Sequence, residues 1–137
     1  LNVTNKLKNI NDYPNFYSLY IINDDIKQIT KDHSWVEEMV KKGEITESQA
    51  RIHPQKNIIT RALGIDETVH ADYFEVDVRP DDKILMCSDG LTNMVEDDDI
   101  EDIVRHSSSI EKAVENLVAK ANENGGKDNI TVILVQI

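Results

Sequence analysis

A single cysteine in 137 residues leaves the chain unable to close an internal disulfide. Cys87 falls in an apolar run, where a small thiol packs as a hydrophobe. Basic residues are also scarce: 15 Lys and Arg stand against 26 Asp and Glu, a formal charge of −11. Phosphate backbones and anionic membranes require clustered cations, so neither nucleic acid nor a membrane is an expected partner. No apolar run reaches the ~18 residues of a membrane span, and no signal peptide opens the chain. Internal repeats and low-complexity segments are missing too. These absences suit a cytoplasmic protein. What is present, 39% hydrophobic residues, is enough for a core. The length suits one domain by the prior of ~100–200 residues each.

Residues 83–92, KILMCSDGLT, organise the rest. Ile84, Leu85, Met86 and Cys87 form an unbroken apolar run, the pattern of a strand buried on both faces. It stops at Ser88-Asp89-Gly90, which suits a carboxylate presented at a sheet edge where the chain turns. Near the C-terminus Gly125-Gly126-Lys127-Asp128-Asn129 reads as a turn, and residues 130–137, ITVILVQI, as a second apolar strand. Here the acid precedes the strand. If the two strands pair antiparallel, Asp89 and Asp128 reach the same edge and could share a hard cation such as Mg²⁺ or Mn²⁺. Asp-Gly and Gly-Gly-Lys-Asp-Asn are also ordinary turn sequences, and either one alone is explained that way.

Taken in order, residues 1–15 are rich in Asn and Lys and show no period. Residues 16–22 and 26–30 read as strands of a hairpin that turns at Asn23-Asp24-Asp25. Ser34 and Glu37 form a capping box, Trp35, Val36, Met39 and Val40 share a helical face, and Gly43 ends that helix. Thr46 and Gln49 repeat the box for a short helix that stops before Pro54. Residues 57–63 run into a turn at Gly64. Phe74, Val76 and Val78 alternate with Tyr73, Glu75 and Asp77, a half-exposed strand. Arg79-Pro80-Asp81-Asp82 turns the chain into the central strand.

The acidic run 96–102 reads as a solvated helix start, because Ile100 and the lack of glycine exclude a calcium-binding EF-hand loop. The helix expected over 97–106 turns Ile100, Ile103 and Val104 inward. A second, with a box at Ser108 and Glu111, carries Ile110, Ala113, Val114, Leu117, Val118 and Ala121 on one face until Asn124-Gly125. Together these elements predict an α+β domain, with antiparallel strands and helices laid on a sheet. Neither His33 nor His53 has a metal-binding partner at helical spacing. His33 suits local hydrogen bonding, and His53 either that or substrate contact. Arg61 reads as an ion-pair partner or a phosphate ligand, and His70 and His106 as surface residues.

LMCSDGLT and GGKDNITVILV resemble the last two motifs of the metal-dependent protein serine/threonine phosphatases, the protein phosphatase 2C type. The family's Ser-Asp-Gly matches Ser88-Asp89-Gly90, and its Asp-Asn-x-Thr matches Asp128-Asn129-Ile130-Thr131. ITKDHSWVEEMVKKGEIT, ARIHPQKNIITRALG and VRPDDKILMCSDG are similar to the bacterial branch. The likeness runs from about Leu19 to Ile137 in family order and fades upstream, where Asn15-Phe16-Tyr17-Ser18 stands in place of Gly-Asp-Ser-Arg.

The resemblance implies the C-terminal part of a β-sandwich flanked by helices, over residues 16–137, after a divergent segment 1–15. It implies a mobile helical flap at about 43–64, where His53 would meet substrate. It makes Asp89 and Asp128 metal ligands, with Mg²⁺ or Mn²⁺ as cofactor. The implied reaction is hydrolysis of phosphoserine and phosphothreonine in proteins, with phosphorylated proteins, including a bacterial Ser/Thr kinase and its substrates, as the implied partners. The family's N-terminal motifs, including Asp-Gly-x-Gly-Gly, do not occur in this chain. An incomplete, weakly active or inactive piece is therefore expected, self-associating through exposed sheet edges. A non-catalytic, phosphatase-like binding module is the alternative.

Overall fold

The computed structural model describes residues 17–31, 33–56, 58–60, 68 and 73–137. The chain divides into two compact units. Among the described residues, one comprises 17–31 and 76–137, the other 33–56, 58–60, 68 and 73–75.

In the first unit, aromatic and β-branched residues favour strand β1, Tyr17–Ile22, which pairs antiparallel with the short β2, Ile26–Gln28. The turn between them is held to helix α4, Asp97–His106. Glu101 Oε2 accepts from Ile26 N–H at 3.1 Å, and Arg105 donates to the carbonyls of Asn23 and Asp24. Aspartates 97–99 in the first turn of α4, with Arg105 and His106 in its last, complement the helix dipole. The apolar run becomes β3, Lys83–Ser88, and runs into the single turn α3, Asp89–Thr92. After α4 comes α5, Ile110–Glu123, and then β4, Val132–Gln136. Strand order is β2-β1-β3-β4, antiparallel throughout, which makes β3 central.

Register sorts the side chains into two faces. Tyr20, Leu85 and Leu134 lie opposite one another, as do Ser18, Cys87 and Val132. This face joins Leu91, Val95, Ile100, Val104, Ala113, Leu117 and Ala121 in one core. Each large side chain fully buried there stabilises the fold by roughly 1.5–3 kcal/mol. The opposite face carries Leu19, Met86 and Ile133 in one row and Ile21, Ile84 and Val135 in the next. Ile21 is only 5% exposed, but Ile133 and Val135 on the outer strand are 47% and 44% exposed.

In the second unit, α1 spans Trp35–Lys41 and α2 Glu47–Ile52. Ser34 Oγ accepts from Glu37 N–H at 3.2 Å. The chain leaves α1 through Gly43 at φ 72°, where glycine alone is unstrained. Gly43 N–H donates to Val40 O and Glu44 N–H to Met39 O, satisfying carbonyls that the helix leaves open. Thr46 and Gln49 complete the expected box on α2, which buries none of its residues. Ser34 and Ile59 form an antiparallel bridge, with Trp35 N–H donating to Ile58 O and Thr60 N–H to His33 O.

Four expectations need correction. The run at 84–87 is buried on one face only: Leu85 and Cys87 are inaccessible, Ile84 and Met86 half-buried. The strand read at 26–30 ends at Gln28. The cap of α5 is Ser109, which accepts from Lys112 N–H, not Ser108. Residues 73–78 form no strand, and Tyr73, Phe74, Val76 and Val78 are exposed. Alternation defines two faces, but a strand also needs a neighbour to pair with. The expectations for residues 1–15, Phe16, Arg61, Gly64 and His70 lie outside the described residues. Among the described residues no helix is long and apolar enough to cross a membrane.

Candidate functional site

The site is built where β3 and β4 leave their ladder. Cys87 and Val132 are the last ladder pair at that end. One residue further, Ser88 N–H donates to Thr131 O at 3.0 Å. The Ser88 hydroxyl accepts from Thr131 N–H at 3.0 Å and donates to Asn129 O at 2.8 Å. The segment leading into β4 is therefore stitched to the segment leaving β3.

Asp89 opens α3 and is half-buried. Asn93 Nδ2 donates to its Oδ2 at 3.3 Å, and Asn93 N–H donates to its carbonyl at 2.8 Å. Asp128 is exposed, and its Oδ1 accepts from Asn129 N–H at 2.7 Å. The two segments touch at Gly90. A Cβ placed there would stand 2.3 Å from Asn129 O and 3.4 Å from the Asp128 carbonyl carbon. Only a residue without a side chain permits so close a backbone approach. The antiparallel pairing expected from the sequence thus sets the backbones of Asp89 and Asp128 at one sheet edge.

Chemically, the edge offers anionic carboxylate oxygens, the donors that hard divalent cations take, and they need no deprotonation at neutral pH. Among the described residues no group of three or more His, Cys, Asp or Glu gathers to hold a metal. Two carboxylates fit part of a six- to eight-oxygen shell such as hard cations take.

His53 belongs to the second unit and caps α2. Its Nδ1 accepts from Gln55 N–H at 3.2 Å, and its ring meets Trp35 edge-on at 5.8 Å between centroids. His106 Nδ1 lies 3.0 Å from Asp102 Oδ1 on the surface. Sequence reasoning overlooked Asn93 and the separate part played by the Ser88 hydroxyl. The only available signal was a polar residue closing an apolar strand.

A match to the Stage II sporulation protein E (SpoIIE) family spans residues 45–137. The serine/threonine phosphatase stp of Listeria welshimeri is 46% identical over 114 residues, which are 83% of this chain and 45% of that protein. Protein phosphatase PhpP of Streptococcus pneumoniae is 43% identical, over 83% of this chain and 46% of its own length. Among solved structures, the S. agalactiae serine/threonine phosphatase superposes with a TM-score of 0.83 at 38% identity, over 88% of this chain and 50% of that one. The catalytic domain of the serine/threonine phosphatase PstP, solved with two manganese ions, gives 0.76 at 30% identity, over 88% and 49%. This chain spans about half the length of the relatives it matches. With its mixed helix and antiparallel sheet fold, it belongs to the SpoIIE-type branch of the protein phosphatase 2C family and corresponds to the C-terminal portion of that domain.

Proposed function

We propose that the whole protein hydrolyses phosphoserine and phosphothreonine in proteins with Mg²⁺ or Mn²⁺, and that Asp89 and Asp128 of this portion are metal ligands. The contact of Gly90 with Asn129 O, which brings both aspartates to one edge, carries this reading. The manganese ions of the PstP structure support the choice of cation. Bound there, such cations polarise phosphoryl oxygens and lower the pKa of a coordinated water. Asp89 and Asp128 hold their positive charge at the end of the sheet, and Asn93 orients the Asp89 carboxylate through its Oδ2.

The flap is assigned to about residues 43–64, part of which lies outside the described residues, with His53 as its substrate-contact residue. The substrates are phosphorylated proteins, including those of a bacterial Ser/Thr kinase, in the cytoplasm. Two carboxylates are half of a two-metal ligand set, so this chain alone turns over little or nothing. Removing members of a cooperating set costs orders of magnitude. The half-exposed Ile133 and Val135 on outer strand β4 support self-association, read as a concentration-dependent rise in sedimentation coefficient.

Hydrolysis of a phosphothreonine peptide in millimolar Mn²⁺ tests the proposal, with Asp89→Asn as control. Background-level release from both is expected of the chain alone. Turnover abolished by Asp89→Asn would show a complete site and overturn the account of a half set. Turnover indifferent to the substitution would overturn the role given to Asp89.

A further inference from the structure

We propose that Ser88 is a positioning residue that sets the spacing between the Asp89 and Asp128 carboxylates, an inference that rests on reading both as metal ligands. Ser88 is 3% exposed and occupies the N-cap position of α3. Serine there ordinarily accepts from an amide in the first turn of its own helix. Ser88 makes no such bond. Its hydroxyl crosses to the other strand instead, accepting from Thr131 N–H at 3.0 Å and donating to Asn129 O at 2.8 Å.

The second bond lies beyond the ladder, where backbone pairing has stopped. Asn129 O is gripped from two sides, by the Ser88 hydroxyl and by the bare Cα of Gly90, where a Cβ would come within 2.3 Å. Asn129 N–H in turn donates to Asp128 Oδ1 at 2.7 Å. A continuous path of bonds therefore runs from the residue before Asp89 to the Asp128 carboxylate. Backbone pairing brings the strands together. The hydroxyl fixes where the Asp128 turn stops relative to α3.

The test titrates Mn²⁺ into the 137-residue chain, reading affinity by calorimetry and broadening of the Asp89 and Asp128 amide signals by NMR. Amide exchange of Leu85 in the central strand and Leu117 in α5 certifies the fold, and that of Thr131 reads the hydroxyl bond without metal. Ser88→Ala should speed Thr131 exchange and weaken Mn²⁺ by about tenfold, the low end of losses when a residue supporting a ligand is removed. Asp89 and Asp128 should then no longer broaden in step. Ser88→Thr, which keeps the hydroxyl, should recover most of the affinity. Should Ser88→Ala lose the fold, Ser88→Cys, near in size and a weaker hydrogen-bonder, should give a smaller loss in the same direction.

A folded Ser88→Ala or Ser88→Cys with unchanged Mn²⁺ affinity would overturn the positioning role while leaving the two ligands standing. Wild-type binding indifferent to Asp89→Asn would instead overturn the ligand reading, and the spacing role with it.

Discussion

Asp89 and Asp128 could be picked out as residues because one ends an apolar run and the other precedes one, each at a point where the chain turns. What the pattern could not carry is the hydrogen bonding around them. Gly90 reads as a turn glycine, yet its structural demand is steric: the Asn129 carbonyl occupies the space of its missing side chain. Such long-range contacts leave no trace in local periodicity. Glu111 shows a local limit as well. Its spacing from Ser108 predicts half of a capping box, whereas its carboxylate accepts from its own backbone N–H and is bonded to Ser109, and both interactions lower its pKa. A carboxylate with a depressed folded-state pKa contributes stability that is present above the unfolded value and lost as pH falls through the folded one. An NMR pH titration should therefore place the Glu111 midpoint below its ordinary 4.5, and Ser109→Ala should move it back up. A midpoint at or above the ordinary value would contradict the assignment.

Among the elements, α5 was the most readable, since Ala113, Leu117 and Ala121 repeat at helical spacing and all three are buried. Its start was less so. Ser107, Ser108 and Ser109 are equally competent caps by residue type, and the neighbouring helix decides between them. Ser107 closes α4, its Oγ donating to Ile103 O at 2.6 Å, and of the two that remain it is Ser109 whose Oγ accepts from Lys112 N–H to open α5. The segment 73–78 failed for a different reason, because alternation carries no information about a pairing partner. The two helices before it had clear caps but little to bury, and α2 contributes nothing to a core. Leu117 is inaccessible at the centre of the α5 face. Leu117→Ala should cost about 2–5 kcal/mol of unfolding free energy in urea, as buried leucine truncations do. A loss below about 1 kcal/mol would mean that α5 is not packed on the sheet as described.

At the scale of the molecule, the α+β class followed from the strand and helix patterns along the chain, and the family from motifs set at the ends of two paired strands. The chain spans about half of each relative it matches, and its sheet leaves Ile133 and Val135 half-exposed on one face. The core on the other face is continuous from β1 to α5. The edge that carries Asp89 and Asp128 therefore stands on a well-packed base. Under the proposed function, Asp89 and Asp128 act on one cation rather than as two separate surface acids. A double-mutant cycle on Mn²⁺ affinity measures this directly, using Asp89→Asn, Asp128→Asn and the pair, each checked for fold. If one ion is shared, each single substitution should weaken binding by about tenfold or more, and the double variant should be little worse than either single one. Losses that simply add, or a single variant that binds Mn²⁺ as the wild type does, would contradict a shared site.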